Sequence, residues 1–205
     1  MIAIVDYGVG NLFSLAASLR HLGLESTVTG DADAIARAER IILPGVGAFG
    51  DAITKLRATG LVPTLDRAVA GGTPLLGICL GMQLLFEKSG EYGDWAGLSY
   101  LAGYVAPLAG DIPPALKVPQ MGWNALEILD EKEPLLKYTR PGEHVYYVHS
   151  YYVKGCENSL KAGSRYGVFV PGVVRAGNVW GAQFHPEKSG TAGLAMLKAF
   201  GEGVG

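Results

Sequence analysis

Residues Pro74–Ile78 form an unbroken apolar run, Pro-Leu-Leu-Gly-Ile, that leads straight into Cys79. A short run without polar alternation must be covered on both faces, which is the setting of a central strand in a parallel sheet. Leu80–Lys88 then reads as a helix, so Cys79 falls where strand meets helix, with Gly77 and Gly81 two residues away on either side. The chain before it keeps the same rhythm. Ile2–Val5, Glu25–Thr29 and Arg40–Leu43 are strand-like, and the last stops at Pro44-Gly45. Between them lie a helix from Leu12 to Leu22, with Asn11 as its N-cap and Gly23 as its C′ residue, and a short helix over Ala32–Ala38. Two further helices, near Phe49–Ala58 and Val62–Ala70, complete the pattern. This βαβα order predicts an α/β fold: a doubly wound, mostly parallel sheet with helices on both faces.

The second half changes character. Gly103–Leu108, Trp123–Leu129, His144–Lys154, Val173–Ala176 and Val179–Phe184 read as strands without good helices between them. Pro141-Gly142 and Ala176-Gly177-Asn178 mark turns, so antiparallel hairpins are expected here, closed by a helix over Thr191–Phe200. No repeat or linker divides the chain, and 1–205 is expected to form one domain. With 49% hydrophobic residues and a net charge of −2, it has no basic footprint for a nucleic acid or an anionic membrane. Met1 enters the Ile2–Val5 run without a basic leader or cleavage site, so no signal peptide is expected. Ala68–Phe86 carries no charge and is nearly long enough to span a bilayer, but Gly71, Gly72, Pro74, Gly77 and Gly81 break it, which suits a buried strand and turn. Two cysteines, Cys79 and Cys156, are too few for a disulfide framework and point to a reducing cytoplasm.

Gly77-Ile-Cys-Leu-Gly81 has the form of a nucleophile elbow, in which glycines permit the sharp turn that pushes the central side chain outward. The helix start at Leu80 favours a thiolate, and the Leu80 N–H is placed to meet a developing oxyanion. A lone cysteine is more often a small buried hydrophobe, so the decision rests on its partners. Gly181-Ala-Gln-Phe-His-Pro-Glu supplies them: His185 as the base and Glu187 as the group that orients it, with Pro186 stiffening the turn. Of the other histidines, His21 reads as a helix-end residue, while His144 and His149 lie in a strand, and none has metal-ligand spacing with a cysteine. Pro44-Gly-Val-Gly-Ala-Phe-Gly frees backbone N–H groups for a second half of an oxyanion hole. Gly8-Val-Gly-Asn-Leu-Phe is not a dinucleotide fingerprint, since Phe13 replaces its third glycine. In Val145–Val153 alternation puts Tyr147, His149 and Tyr151 on one face and Tyr146, Val148 and Ser150 on the other, without saying which is functional.

Taken together, Gly77-Ile-Cys-Leu-Gly-Met-Gln and His185-Pro-Glu resemble the class I, or triad, glutamine amidotransferases. Asp6-Tyr-Gly-Val-Gly-Asn-Leu, Pro44-Gly-Val-Gly-Ala-Phe, Gln120-Met-Gly-Trp-Asn, Tyr147-Val-His-Ser-Tyr and Phe184-His-Pro-Glu-Lys-Ser narrow this to the glutaminase subunits of imidazole glycerol phosphate synthase, in the expected order along nearly the whole chain. The resemblance implies a Cys79–His185–Glu187 triad and a γ-glutamyl thioester. It implies an oxyanion site at Val46, Gly47 and Leu80, and glutamine held by Gly47, Gln83, Glu91, Ser150 and Tyr151. It also implies a (β/α)8-barrel cyclase partner that receives the ammonia, docked near Asn11, Trp123 and Lys188, with no metal and no cofactor. Tyr147 and Ser150 stand where the family often has Phe and Thr, and Ala109–Ala115 looks like a variable loop. A glutaminase of pyridoxal phosphate biosynthesis would carry a Gly-Gly-Glu loop in place of Pro44-Gly-Val-Gly. A silent docking subunit would not need all three triad residues, and a cysteine peptidase or redox protein would not need glutamine.

Overall fold

The computed structural model describes residues 1–203. Its centre is an eight-stranded sheet in the order β2-β1-β3-β4-β14-β13-β12-β9, formed by β1 (Ile2–Val5), β2 (Ser26–Thr29), β3 (Arg40–Leu43), β4 (Leu75–Ile78), β9 (Glu127–Ile128), β12 (Leu160–Tyr166), β13 (Val168–Ala176) and β14 (Val179–Ala182). β2 through β14 run parallel, and β13, β12 and β9 extend that edge antiparallel. The sheet is covered on both faces because its strands bury both sets of alternating side chains. Ile2, Ile4, Ile42, Leu76 and Ile78 join one core with Leu15 and Leu19 of α1 (Leu12–His21) and Met196, Leu197 and Phe200 of α6 (Gly190–Glu202). Ala3, Val5, Ile41, Leu43 and Leu75 join the other, under α2 (Ala32–Ala36), α3 (Phe49–Ala58), α4 (Val62–Ala70) and α5 (Leu80–Leu84). Each fully buried aliphatic side chain there contributes roughly 1.5–3 kcal/mol. The expected doubly wound architecture is therefore the one observed.

Local chemistry explains most boundaries. Gly23, at φ +70°, ends α1: its N–H reaches the Arg20 carbonyl and the Leu24 N–H reaches that of Leu19, a Schellman closure. Asp31 Oδ1 caps α2 by accepting the Ala34 N–H at 2.7 Å. Asn11 occupies the N-cap position of α1, but its side chain makes no capping hydrogen bond. The Ala176-Gly177-Asn178 turn does join an antiparallel pair, β13 and β14.

Three expectations need correction. The helix read over Leu80–Lys88 ends at Leu84, and Phe86–Ser89 is a strand, β5. Leu84, Leu85 and Phe86 are all buried, a run compatible with either state, and β5 is settled by long-range parallel pairing to β7 (Leu101–Pro107), with β6 (Trp95–Ala96) on its other side. His144–Lys154 is not one strand. It breaks at Ser150 into β10 (His144–His149), which pairs with β8 (Gln120–Ala125), and β11 (Tyr151–Lys154), which pairs with β7. The break takes Tyr151 off the face shared by Val145, Tyr147 and His149, which are buried while Tyr146 and Val148 are half-buried. Trp123–Leu129 likewise divides between β8 and β9 at buried Leu126.

Candidate active site

Cys79 stands at the C-terminal end of β4, beside β14, and its own N–H extends the ladder to the Ala182 carbonyl at 2.7 Å. Its backbone is forced to φ 54° and ψ −111°, a conformation that L-residues rarely hold without surrounding support. The flanking glycines supply that support by allowing backbone to approach backbone. A Cβ on Gly81 would stand 1.9 Å from the Leu43 carbonyl oxygen, and one on Gly77 would stand 2.6 Å from the Gly81 carbonyl oxygen. The elbow is thus wedged between the end of β3 and its own first turn.

His185 follows β14, the strand paired directly with β4, three residues past Ala182, the register partner of Ile78, and is held from several sides. Its N–H donates to the Tyr146 carbonyl at 3.0 Å. Ser189, almost fully buried, donates its hydroxyl to the His185 carbonyl at 2.6 Å and accepts the Tyr146 N–H at 2.9 Å. Glu187 Oε1 takes His185 Nδ1 at 2.8 Å, in a pair whose side chains are each 3% exposed. That bond makes Nδ1 the donor, which leaves Nε2 buried and without a partner, turned over to the chemistry on the other side of the ring. Burial disfavours the charged ring, but Cys79 and Glu187 outweigh it and push the His185 pKa up to about 9. The sulfur has only distant contacts at 3.9 Å, with the Val148 carbonyl and with Gln183 Nε2, and no well-aligned hydrogen bond joins it to Nε2. A hydrogen bond between the expected nucleophile and its expected base is not formed here, as is common before substrate binds.

A cavity of about 300 Å³ opens over this pair, lined by Val46, Gly47, Cys79, Leu80, Gln83, Glu91, Ser150, Tyr151 and His185. It brings together the expected nucleophile Cys79, its expected base His185 and every residue expected to grip substrate or oxyanion, while Glu187 lies behind the ring. The backbone N–H groups of Val46, Gly47 and Leu80 are not taken by any acceptor among the described residues. Gln83 spends both amide hydrogens, on the Tyr151 carbonyl at 2.8 Å and Gln183 Oε1 at 3.0 Å. Glu91 Oε2 accepts the Phe49 N–H at 2.7 Å. Burial, helped by Asp51 and opposed by that hydrogen bond, raises the Glu91 carboxyl above its usual range.

Of the three residues expected to face a partner, Asn11 lines a narrow crevice with Pro44, Gly45, His185 and Glu187. Trp123 is 54% exposed, stacked edge-on against Tyr146, and Lys188 is exposed. Sequence reasoning missed His149, which lines the same cavity, gives Nδ1 to the Tyr151 carbonyl at 2.9 Å and leaves Nε2 buried without a partner. Burial lowers its pKa to about 4, against the Tyr151 hydrogen bond and with a further push from His185. It also missed Tyr7 and Ser189, whose only signal was membership of quoted motifs. Both cysteines are free, and Cys156, raised to about 11 by burial and then by Glu157, is an unreactive core thiol. Among the described residues no group of three His, Cys, Asp or Glu side chains has the geometry to hold a metal, and no helix is long and apolar enough to cross a membrane.

The family model of class I glutamine amidotransferases matches residues 3–202. The imidazole glycerol phosphate synthase subunit HisH of Geobacillus thermodenitrificans is 50% identical over 204 residues, covering 98% of this chain and 94% of that one. The chain belongs to the class I glutamine amidotransferases. HisH of Listeria monocytogenes is 48% identical to this amidotransferase over 202 residues, with 98% and 95% covered. In three dimensions it matches a chain in the structure of PurLQS from Thermotoga maritima at TM-score 0.75 and 20% identity, over 97% and 95% of the two chains. A crystal structure described as a glutamine amidotransferase matches at TM-score 0.74 and 20% identity, over 98% and 100%. These last two speak for the amidotransferase fold alone.

Proposed function

We propose that Cys79, His185 and Glu187 are the triad with which this chain, a glutamine amidotransferase of the HisH group that serves histidine biosynthesis, hydrolyses glutamine. The proton shared by Sγ and His185 Nε2 rests on the ring, whose pKa is raised to about 9, and Sγ attacks the side-chain amide carbon while the imidazolium holds that proton ready for the leaving group. The oxyanion falls to the free N–H groups at Leu80 and in the Val46–Gly47 loop. His185 then hands its proton to the amide nitrogen, the C–N bond breaks, and ammonia leaves a γ-glutamyl thioester. Water, deprotonated by the same ring, adds to the thioester carbon, the C–S bond breaks, glutamate is released, and the proton stays with the Cys79–His185 pair for the next cycle. Glu187 fixes the ring's tautomer throughout. Gln83, Glu91, Ser150, Tyr151 and Gly47 hold the amino-acid end of the substrate.

The chain works as one subunit of a larger synthase. Its partner, in this reading, is a (β/α)8-barrel cyclase in a one-to-one heterodimer, which uses the ammonia to make imidazole glycerol phosphate and an aminoimidazole carboxamide ribotide. Asn11, exposed Trp123 and Lys188 would meet it, the whole chain acts as a single glutaminase domain, and the reaction needs no cofactor and takes place in the cytoplasm. The observation that carries the triad is the Glu187–His185 pair at 2.8 Å, with Nε2 left bare in the cavity wall that also holds the strained Cys79. The test is glutamate release by the chain alone, with the cyclase subunit, and with that subunit plus its nucleotide ligand. A large rise in the last mixture, lost in Cys79→Ala, is expected. Equal release in all three would end the partner-gated reading, and release that survives Cys79→Ala would end the triad.

A further inference from the structure

The loop Pro44–Ala48 carries two of the free donors, yet only its ends are tied. At one end the Tyr7 hydroxyl, on a side chain just 4% exposed, donates to the Pro44 carbonyl at 2.7 Å. Gly45 next to it presses on the elbow so closely that a Cβ there would stand 2.5 Å from the Gly81 nitrogen. At the other end Phe49 opens α3 with an N–H that no side chain of the preceding Ala48 caps, and Glu91 Oε2 takes it at 2.7 Å. The middle is different. Gly47 sits at φ +93° with open space around it, and Val46 and Gly47 border cavities on two sides, the glutamine cavity and another of about 360 Å³ shared with Gly8–Gly10. The phenol belongs to the site electrically as well: burial first, and then the Cys79 sulfur, raise its pKa.

We propose that Tyr7 and Glu91 are positioning residues that clamp the two ends of the oxyanion loop, and that Glu91 performs this with one carboxylate oxygen while the other meets the substrate. This rests on the glutaminase reading above. A hydrogen bond to the Pro44 carbonyl fixes the plane of the Pro44–Gly45 peptide, and so fixes the point from which the Val46 and Gly47 N–H groups are presented. A bond to the Phe49 N–H fixes where the loop returns to helix. With both ends fixed, any reorientation is confined to the short segment between them, and its donors stay within reach of the oxyanion. Glu91 Oε1 has no protein partner among the described residues, so the side chain can accept from an ammonium without releasing Phe49. Substrate binding and loop position therefore meet in one carboxylate.

The clamp is tested in the complex with the cyclase subunit, by glutamate release as a function of glutamine. Tyr7→Phe should lower kcat about tenfold and change KM by less than about twofold, the size and form expected from removing one buried hydrogen bond that acts in the transition state. Its rate of Cys79 alkylation by iodoacetamide, read against Cys79→Ala as blank, should stay at the wild-type value, because the thiol itself is untouched. Glu91→Gln keeps an oxygen for the Phe49 N–H and loses the charge, so it should raise KM and hold kcat, whereas Glu91→Ala should raise KM and lower kcat as well. Wild-type kcat in Tyr7→Phe, a parallel fall of kcat and alkylation rate, or equal kcat in the two Glu91 variants would each overturn the clamp. Failure of the underlying glutaminase reading would show separately, as glutamate release that persists in Cys79→Ala.

Discussion

His185 illustrates how a few contacts decide what a side chain does. Buried imidazoles usually lose their proton affinity, and His149 does, yet His185 in the same cavity wall gains it because the Cys79 sulfur faces one nitrogen and the Glu187 carboxylate lies 2.8 Å from the other. Glu187→Gln removes the charge and allows the ring to be held in the wrong tautomer, so it should lower kcat for glutamate release by about 10²–10⁴-fold with the fold intact. Steady-state turnover in the complex, with a thermal melt as control, checks this, and a kcat within a few-fold of wild type would show that the ring needs no orienting group. The proposed roles could be read from the sequence because Gly-x-Cys-x-Gly and His-Pro-Glu put candidate chemistry at strand ends, where a sheet presents its loops. Those of Tyr7 and His149 could not, since a tyrosine just after β1 and a histidine in an aromatic strand carry no mark of their own until the fold shows which carbonyls they meet. Glu133 is the clearest omission. Nothing around it in sequence marks it, but it is 2% exposed and accepts Trp180 Nε1 at 2.7 Å and the Leu135 N–H at 3.0 Å through Oε1. Glu133→Ala would strand both donors and should cost about 2–4 kcal/mol in urea unfolding, with the triad chemistry unchanged in the folded protein. A loss within about 0.5 kcal/mol would mean that water replaces the carboxylate.

At the scale of elements, the parallel half of the sheet follows from its side chains, because strands buried on both faces need unbroken apolar runs and the helices between them need one apolar stripe. The antiparallel half obeys no such rule. β12 reads Leu-Lys-Ala-Gly-Ser-Arg-Tyr, small and polar in its middle, and escapes a search for apolar alternation even though Ala162 and Ser164 are fully buried. Gly163 explains the composition: a Cβ there would stand 2.4 Å from the Val170 carbonyl oxygen, so the strand is chosen for close approach to β13 rather than for hydrophobicity. The break at Ser150 was equally hidden, because it depends on partners more than forty residues away in sequence, through the Leu108 N–H and its bond to the Ser150 carbonyl. The nucleophile elbow gives the sharpest prediction at this scale. Gly81→Ala places a methyl 1.9 Å from the Leu43 oxygen, and neither atom lies on a flexible side chain, so β3 and α5 must separate. The expected outcome is a loss of about 3 kcal/mol or more, beyond ordinary overpacking, together with loss of glutaminase turnover. Thermal unfolding and glutamate release on the same sample test it, and near-wild-type values for both would show that the two backbones have room that the geometry denies.

For the whole molecule, the two buried histidines of the active-site wall set opposite limits on stability with pH. His149 has a folded pKa of about 4, so between that value and its ordinary one near 6.5 the unfolded chain binds a proton that the folded chain refuses. Its contribution is fully present above about pH 6.5 and is lost as pH falls toward 4. His185 behaves in the reverse sense. Its folded pKa of about 9 means that the folded chain holds a proton the unfolded chain has released, so its contribution is present below about pH 6.5 and is lost as pH rises toward 9. Each group gives a limiting slope of about 1.4 kcal/mol per pH unit within its own window. The carboxylates lowered by ion pairs on the surface, such as Asp111 beside Lys154 and Asp130 beside Lys161, act below about pH 4 and leave both windows undisturbed. The folded state should therefore be most stable near pH 6.5, and urea unfolding between pH 5 and 8.5 should trace a peak with two distinct limbs. His149→Gln should flatten the acid limb alone, and Cys79→Ala, by removing one of the groups that hold the proton on His185, should flatten the alkaline limb alone. If both variants keep the wild-type profile, the protons that govern stability sit elsewhere. If His149→Gln flattens the alkaline limb instead, the two rings titrate as a coupled unit, and the acid and alkaline edges of stability belong to the pair.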